Sequence, residues 1–177
     1  MKKYLVLLIP LLFVMAQCHK TSPPDPEPDL PPATQEGRGT IGCYINGKPW
    51  WPKPFLTLGP KFLEVSINLL NNSFFLSSIY TEKDKPNQYL DISCDNPKIG
   101  INTIFIYPSS SGAVDYFLDY SKTGNCISYF IDTTKIHRIT LTKIETTGVG
   151  ILSGTFEFTA FNTCGDTLRF TQGRFDY

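Results

Sequence analysis

The domain that follows the first forty residues holds few side chains of the types that catalyse reactions. His137 is its single histidine, and it stands beside Arg138 in a run with strand-like alternation. No G-x-S-x-G sequence accompanies it, so a serine-hydrolase triad is not predicted. Asp115 and Asp119 share one face of a predicted strand, about 13 Å apart, which exceeds the ~5–9.5 Å of glycosidase carboxylates. We expect His137 to be structural and the domain to be non-catalytic; a hydrolase using carboxylates from separate strands is the alternative.

Metal-binding patterns are equally sparse. The domain cysteines show no C-x-x-C spacing, and the domain has a single histidine, which argues against a zinc site. Asp95-Asn96 and Gly165-Asp166 offer oxygen atoms to calcium, but neither loop has the density of oxygen ligands that calcium requires. Turn formation explains both pairs. We therefore predict no metal and no cofactor.

Aromatic residues near the start of the domain are the remaining candidates for a binding site. Asn46-Gly47 between two short alternating segments predicts a type I′ hairpin. A two-residue loop pairs Cys43 with Trp50, so Trp50 joins the core while Trp51 and Tyr44 lie on the opposite face. An exposed aromatic ring can stack on a sugar ring or seat a peptide. We predict Trp51 and Tyr44 as ligand-binding residues; the alternative is that a neighbouring loop covers Trp51.

An export signal opens the chain. Lys2 and Lys3 precede an apolar run from Tyr4 to Met15, which is shorter than the ~20 residues of a spanning helix. This pattern predicts a signal peptide over residues 1–17. Cys18 at the predicted cleavage site makes the segment resemble a bacterial lipoprotein signal. This resemblance implies acylation of Cys18 (palmitate-type chains) and anchoring at the outer membrane, with the domain facing either the periplasm or the cell surface. A plain secretory signal, with Cys18 as an ordinary thiol, is the alternative.

Residues 18–39 are predicted to form a tether. Prolines between positions 23 and 32 alternate with Asp25, Glu27 and Asp29, and almost no apolar side chain is available for burial. Such a segment cannot offset its ordering entropy, and closely spaced prolines favour extended polyproline II. The membrane is therefore a partner through the lipid anchor, and one domain is expected from Thr40 to Tyr177.

Charge excludes one class of partner. The chain carries 16 basic and 16 acidic residues, and loss of Lys2 and Lys3 with the signal leaves an excess of two negative charges. Nucleic acid requires a basic surface, so it is not a predicted partner. A glycan or a protein chain remains.

The cysteines of the domain allow several disulfide pairings. An exported chain meets an oxidising compartment, and Cys43, Cys94, Cys126 and Cys164 permit three connectivities. We predict a bond between Cys94 and Cys126, which would close a loop of ~30 residues and stabilise the fold by about 3–4 kcal/mol. Four buried free thiols are the alternative.

Alternating apolar and polar residues predict strands throughout the domain. The run from Ile136 to Tyr177 contains three, with Phe156 and Phe158 on one face, Glu157 on the other, and a bulge at Gly173. No stretch has helical spacing with caps. The fold class is therefore all-β, an antiparallel sandwich or barrel-like sandwich of about ten strands. The predicted strands also include residues 55–58, 101–107 and 114–120.

Stretches at both ends of the domain resemble an uncharacterised family of Bacteroidetes lipoproteins. The opening carries LPPATQ (Leu30–Gln35), Gly42-Cys43 and Asn46-Gly47-Lys48; the close carries SGTFEF (Ser153–Phe158) and GRFD (Gly173–Asp176). The resemblance implies an exported, membrane-anchored β-sandwich and no particular activity.

Overall fold

A computed structural model describes residues 30–52, 63–68, 72–104, 116–147 and 150–177. Its strands are β1 Thr40–Ile45, β2 Lys48–Trp50, β3 Leu63–Asn68, β4 Ser73–Tyr80, β5 Gln88–Asp95, β6 Gly100–Thr103, β7 Phe117–Asp119, β8 Ser128–Ile131, β9 Arg138–Glu145, β10 Ile151–Phe161 and β11 Thr167–Asp176. A short 3₁₀ turn at Gly124–Cys126 precedes β8. Within these ranges no helix is long and apolar enough to cross a membrane.

The strands form two layers that share β8. Strands β2-β1-β11-β10-β9-β6 make the first layer, and β3-β4-β5-β7-β8 make the second, with every pairing antiparallel. Strand β8 pairs with β7 through Ser128 and Tyr129, and with β10 through Phe130 and Ile131. The described sheet does not close into a barrel, because its terminal strands β2 and β3 pair only with β1 and β4. The predicted all-β fold is confirmed.

Aromatic rings fill the space between the layers. Phe117 of the second layer meets Phe170 of the first with ring centroids 5.3 Å apart, and Phe170 stacks on Phe158 at 4.2 Å. Trp50 likewise reaches across to Tyr80, at 5.9 Å. Since paired aromatic rings contribute beyond the area they bury, these contacts hold the two layers face to face.

The first hairpin has the predicted geometry. Asn46 and Gly47 adopt φ angles of 50° and 78°, as a type I′ turn requires. Cys43 pairs with Trp50, and both side chains are buried. The predicted register is therefore confirmed.

The predicted bulge near Gly173 is also present, but the residue with the positive φ angle is not the glycine. On β11, the register slips between the partners of Phe156 and Phe158, and the positive φ angle, 51°, belongs to Gln172. Gly173 serves a packing role instead: a Cβ there would lie 2.6 Å from Cγ of Phe156. The glycine lets a core ring lie directly on the backbone of β11.

The predicted disulfide is wrong. Cys126 bonds to Cys164, with Cα atoms 5.4 Å apart, while Cys94 and Cys43 are free and buried. Cys94 is buried in the core near the end of β5, whereas the turn holding Cys126 packs against the β10–β11 turn. Asn162 ties these turns together by donating from Nδ2 to the carbonyl of Cys126 at 2.9 Å.

Some sequence predictions fall outside the described residues. These are the signal peptide at 1–17, Cys18 and the tether up to residue 29, the strand at 55–58, the last residues of the strand at 101–107, and the start of the strand at 114–120, which includes Asp115.

Candidate functional site

The outer face of the first layer carries a shallow groove. Three consecutive outward positions of β10, namely Thr155, Glu157 and Thr159, form its floor. Two adjoining depressions of about 520 and 330 Å³ make up the groove and meet at Glu157. We call it the outer-face groove; its lining further includes Ala33, Lys135, Ile136, Arg138, Thr140, Arg169, Thr171, Gln172 and Arg174.

Residues 30–38, which the sequence assigned to the tether, pack on the domain at one end of this groove. We call them the N-terminal strap. Leu30 is buried, and Pro31 lies so close above Gly42 that a Cβ there would be 2.8 Å from Cδ of Pro31. Arg174 donates from Nη1 to the carbonyl of Pro31 at 3.3 Å. Ala33 consequently forms a wall of the groove.

A single buried carboxylate holds the strap in place. Asp176 accepts hydrogen bonds from the hydroxyls of Thr34 and Ser153, the latter at 2.7 Å. It also accepts from the backbone N–H groups of Glu36 at 3.1 Å and Gly37 at 2.9 Å. Donors from the strap and from β10 thus converge on one side chain.

These hydrogen bonds set the charge state of Asp176. Burial by itself would raise the pKa of the carboxyl, but donation from Thr34, Ser153, Gly37 and Glu36 outweighs it and lowers the pKa to about 2. The side chain is therefore ionised at every physiological pH, and the strap binds a full negative charge.

Tyr44 and Trp51 lie on the predicted face, half-buried. Tyr44 pairs with Thr171, which lines the groove, and Cβ of Trp51 lies 2.9 Å from where a Cβ of Gly42 would be. Both residues also interact with neighbouring residues. The structure therefore brings both candidates to the border of the groove and covers each of them in part.

The sequence did not single out the charged residues of the groove. Arg174, Arg138 and Arg169 stand across from Thr155, Glu157 and Thr159, respectively. Arg138 and Glu157 form an ion pair with Nη2 and Oε1 2.5 Å apart. The alternation of polar and apolar residues in each strand placed these arginines on an outward face. Their alignment depends on the pairing of three strands, which no local sequence pattern predicts.

A second depression, of about 480 Å³, opens between the layers at the end of β2. Trp50 and Tyr80 line it together with the carboxylates of Glu82 and Asp119. Glu82 accepts from the Tyr80 hydroxyl at 2.6 Å and pairs with Lys85 at 2.8 Å. This bond to Glu82, with burial and the carboxylate charge, raises the pKa of Tyr80 to about 12. Asp119 accepts from the N–H of Ser121 at 3.0 Å, so both acids are engaged by local partners.

The other predicted polar residues occupy turns or strand ends. His137 places Nδ1 2.8 Å from the carbonyl of Lys135 and lines a separate depression beside Asp95. Asn96 has a φ angle of 47° and accepts from the Asn72 side chain at 3.1 Å, as expected of a turn. Across the described ranges, no three His, Cys, Asp or Glu side chains gather as metal ligands would.

Comparisons with protein families, curated proteins and solved structures found no match to the chain.

Proposed function

We propose that the chain is an exported lipoprotein, anchored to the outer membrane through Cys18, whose β-sandwich is a non-catalytic glycan-binding module. The observation that carries this proposal is the position of Tyr44 and Trp51 at the border of the outer-face groove. An aromatic ring offers a flat apolar surface to the C–H face of a sugar at low entropic cost.

The floor of the groove supplies the polar half of such a site. Thr140, Thr155, Thr159 and Thr171 present hydroxyls that both donate and accept, and the arginines present fixed donors. Sugar hydroxyls need both kinds of partner. A shallow, open groove on a sheet suits one face of an extended chain better than it suits a small molecule, which is usually enclosed.

The test is tryptophan fluorescence of the chain from residue 18 onward, carrying Cys18→Ser, titrated with a panel of oligosaccharides. Since Trp50 is buried, Trp51 is the tryptophan placed to report on the groove. We expect a saturable change that Trp51→Ala abolishes and Tyr44→Ala weakens. Tyr120→Ala removes an exposed ring from the second layer and should leave binding intact. A flat response to every oligosaccharide would refute the glycan-binding role.

The anchor is tested separately in cells. The full chain should incorporate labelled palmitate and sediment with outer membranes, whereas Cys18→Ala should do neither. Unlabelled wild-type protein recovered in the soluble fraction would leave Cys18 an ordinary thiol after a plain secretory signal.

A specific observation favours protein binding as the second candidate function. Strand β6 pairs with β9 alone among the described strands; its residue Ile101 and the preceding Ile99 are 66% and 61% exposed. An apolar strand at a sheet edge can add a strand from another chain. A photo-crosslinker at Ile101 should then capture a discrete partner in cells, and one at Tyr120 should not; equal patterns from both sites would exclude this role.

A further inference from the structure

We propose that the ligand of the outer-face groove is an acidic oligosaccharide, bound through a row of arginines along β10. This inference rests on the proposed glycan-binding function and specifies the ligand class.

The arginines are spaced by the sheet itself. Each of the three outward residues of β10 that floor the groove has an arginine as its cross-strand neighbour: Arg174 for Thr155, Arg138 for Glu157 and Arg169 for Thr159. Outward positions on a strand repeat about every 7 Å, so the three positions span roughly 14 Å along β10, with Arg174 and Arg169 on its β11 side and Arg138 on its β9 side. A linear chain with repeated charges would reach Arg169 and Lys135 together and then pass Arg138 and Arg174, whose guanidinium groups already contact Glu157 and the carbonyl of Pro31.

The groove is cationic although the chain as a whole is neutral. Its lining has Lys135 and the three arginines as cations and Glu157 as the sole carboxylate. The charge of Glu157 is compensated, since its Oε1 lies 2.5 Å from Nη2 of Arg138. Asp132, in the turn just before Lys135, accepts from the Thr134 hydroxyl at 2.6 Å, and its carboxylate offsets part of the charge of Lys135. Arg169 and Lys135 are exposed and remain available to an anion.

Arginine suits the groups that make sugars acidic. Its planar guanidinium matches a carboxylate or a sulfate with two parallel hydrogen bonds, which an ammonium cannot do. The neighbouring threonines then face the sugar hydroxyls. The wall formed by Ala33 makes the surface concave, which suits a single extended chain rather than the flat surface of a bilayer.

The experiment compares an acidic oligosaccharide with its neutral ester, and adds a sulfated sugar and an anionic membrane. Oligogalacturonate, its fully methyl-esterified form, oligomeric chondroitin sulfate and phosphatidylglycerol vesicles are titrated into the chain from residue 18 onward with Cys18→Ser. We expect oligogalacturonate or chondroitin sulfate to bind at least tenfold more tightly than the neutral ester, with affinity falling as salt rises. Binding of oligogalacturonate shows that a carboxylate is sufficient, whereas binding of chondroitin sulfate alone, which carries carboxylates as well, shows that the sulfate is required.

Variants locate the interaction. Arg169→Gln should weaken acidic binding about tenfold, and Arg169→Lys should restore part of it. Lys98→Gln, which removes an exposed cation outside the groove, is the matched control and should have no effect.

The outcomes separate the two proposals. Equal affinity for oligogalacturonate and its ester would overturn the acidic-ligand inference and leave the glycan-binding function standing. Binding of vesicles without either acidic sugar would overturn the inference in favour of a membrane surface. Failure of every oligosaccharide would overturn both.

Discussion

The hydroxyl of Thr34 donates a hydrogen bond to the carboxylate of Asp176, which lies 142 positions further along the chain. Backbone groups of Glu36 and Gly37 donate to the same carboxylate. The N-terminal strap is thus held by β11, and it forms a wall of the outer-face groove. This carboxylate holds the middle of the strap, while the buried side chain of Leu30 and the bond from Arg174 to the carbonyl of Pro31 hold its start.

Asp176→Asn should release the strap. The amide keeps one acceptor but turns an N–H₂ group toward donors, and the charge-assisted bonds are lost. We expect a loss of about 2–3 kcal/mol in the free energy of unfolding, measured by urea denaturation. Trypsin should also cleave faster after Arg38. Asp132→Asn, in an exposed turn, is the control; unchanged stability and cleavage in Asp176→Asn would show that the strap is held by other contacts.

Stability should fall in acid because of Asp176. Its folded pKa of about 2 is below the ordinary value of 3.8, so the stabilisation is present above about pH 4 and is lost as pH falls through 2. The shift corresponds to about 2 kcal/mol. The measurement is the difference between wild type and Asp176→Asn in urea midpoints from pH 6 to pH 2. That difference should shrink on acidification, and a constant difference would contradict the assignment.

The thiols should distinguish the observed disulfide from other pairings. Burial raises the pKa of Cys43, and burial with the charge of Asp95 raises that of Cys94 to about 11. Both should resist a thiol reagent in the native Cys18→Ser chain and react after denaturation without reductant. Peptide mapping should then find Cys126 and Cys164 unlabelled. A labelled Cys164 would contradict the bond.

Replacing Cys126 and Cys164 by serine should destabilise the domain. The bond closes a separation of 38 residues, for which loop-closure entropy gives about 4 kcal/mol. Chemical denaturation of the double variant measures the loss. Cys43→Ala serves as a comparison that removes a buried sulfur without touching the bond; an equally small effect in both would mean that the bond adds no stability.

Gly173→Ala should strain the core. Its methyl group would lie 2.6 Å from Cγ of Phe156, closer than carbon atoms approach without displacement. Overpacking of this kind costs about 1–3 kcal/mol. In a double-mutant cycle measured by thermal unfolding, Phe156→Leu should reduce the cost of Gly173→Ala. Additive effects would show that the ring is not what the glycine accommodates.

The sequence predicted those structural features that are determined by residues close together in the chain. Asn46-Gly47 fixes a turn type, and the turn type fixes the register that places Trp50 inside and Trp51 outside. The change of parity between Phe170 and Phe175 likewise required a bulge near Gly173. In each case, the deciding residues lie within a few positions of one another.

Long-range pairings could not be predicted in this way. Leu30 is one apolar residue in a Pro-rich segment, and no neighbouring residue indicates that it is buried. The sequence likewise does not indicate that the residues after it donate hydrogen bonds to Asp176. The bond of Cys126 depends on two turns meeting in space, so chain spacing favoured the wrong partner, Cys94. The alignment of Arg138 between Arg174 and Arg169 depends on the register of β9, β10 and β11 together.

The pairing of β1 with β11 has a consequence for the order of events during synthesis. Thr40 pairs with Asp176, so β1 has no neighbour on that side until the ribosome has made β11. Contacts this distant in sequence are slow to form, because the intervening chain must first be brought together. The first layer of a nascent chain would therefore remain incomplete until β11 has been made. The pairing that completes the sandwich would be among the last to form during synthesis.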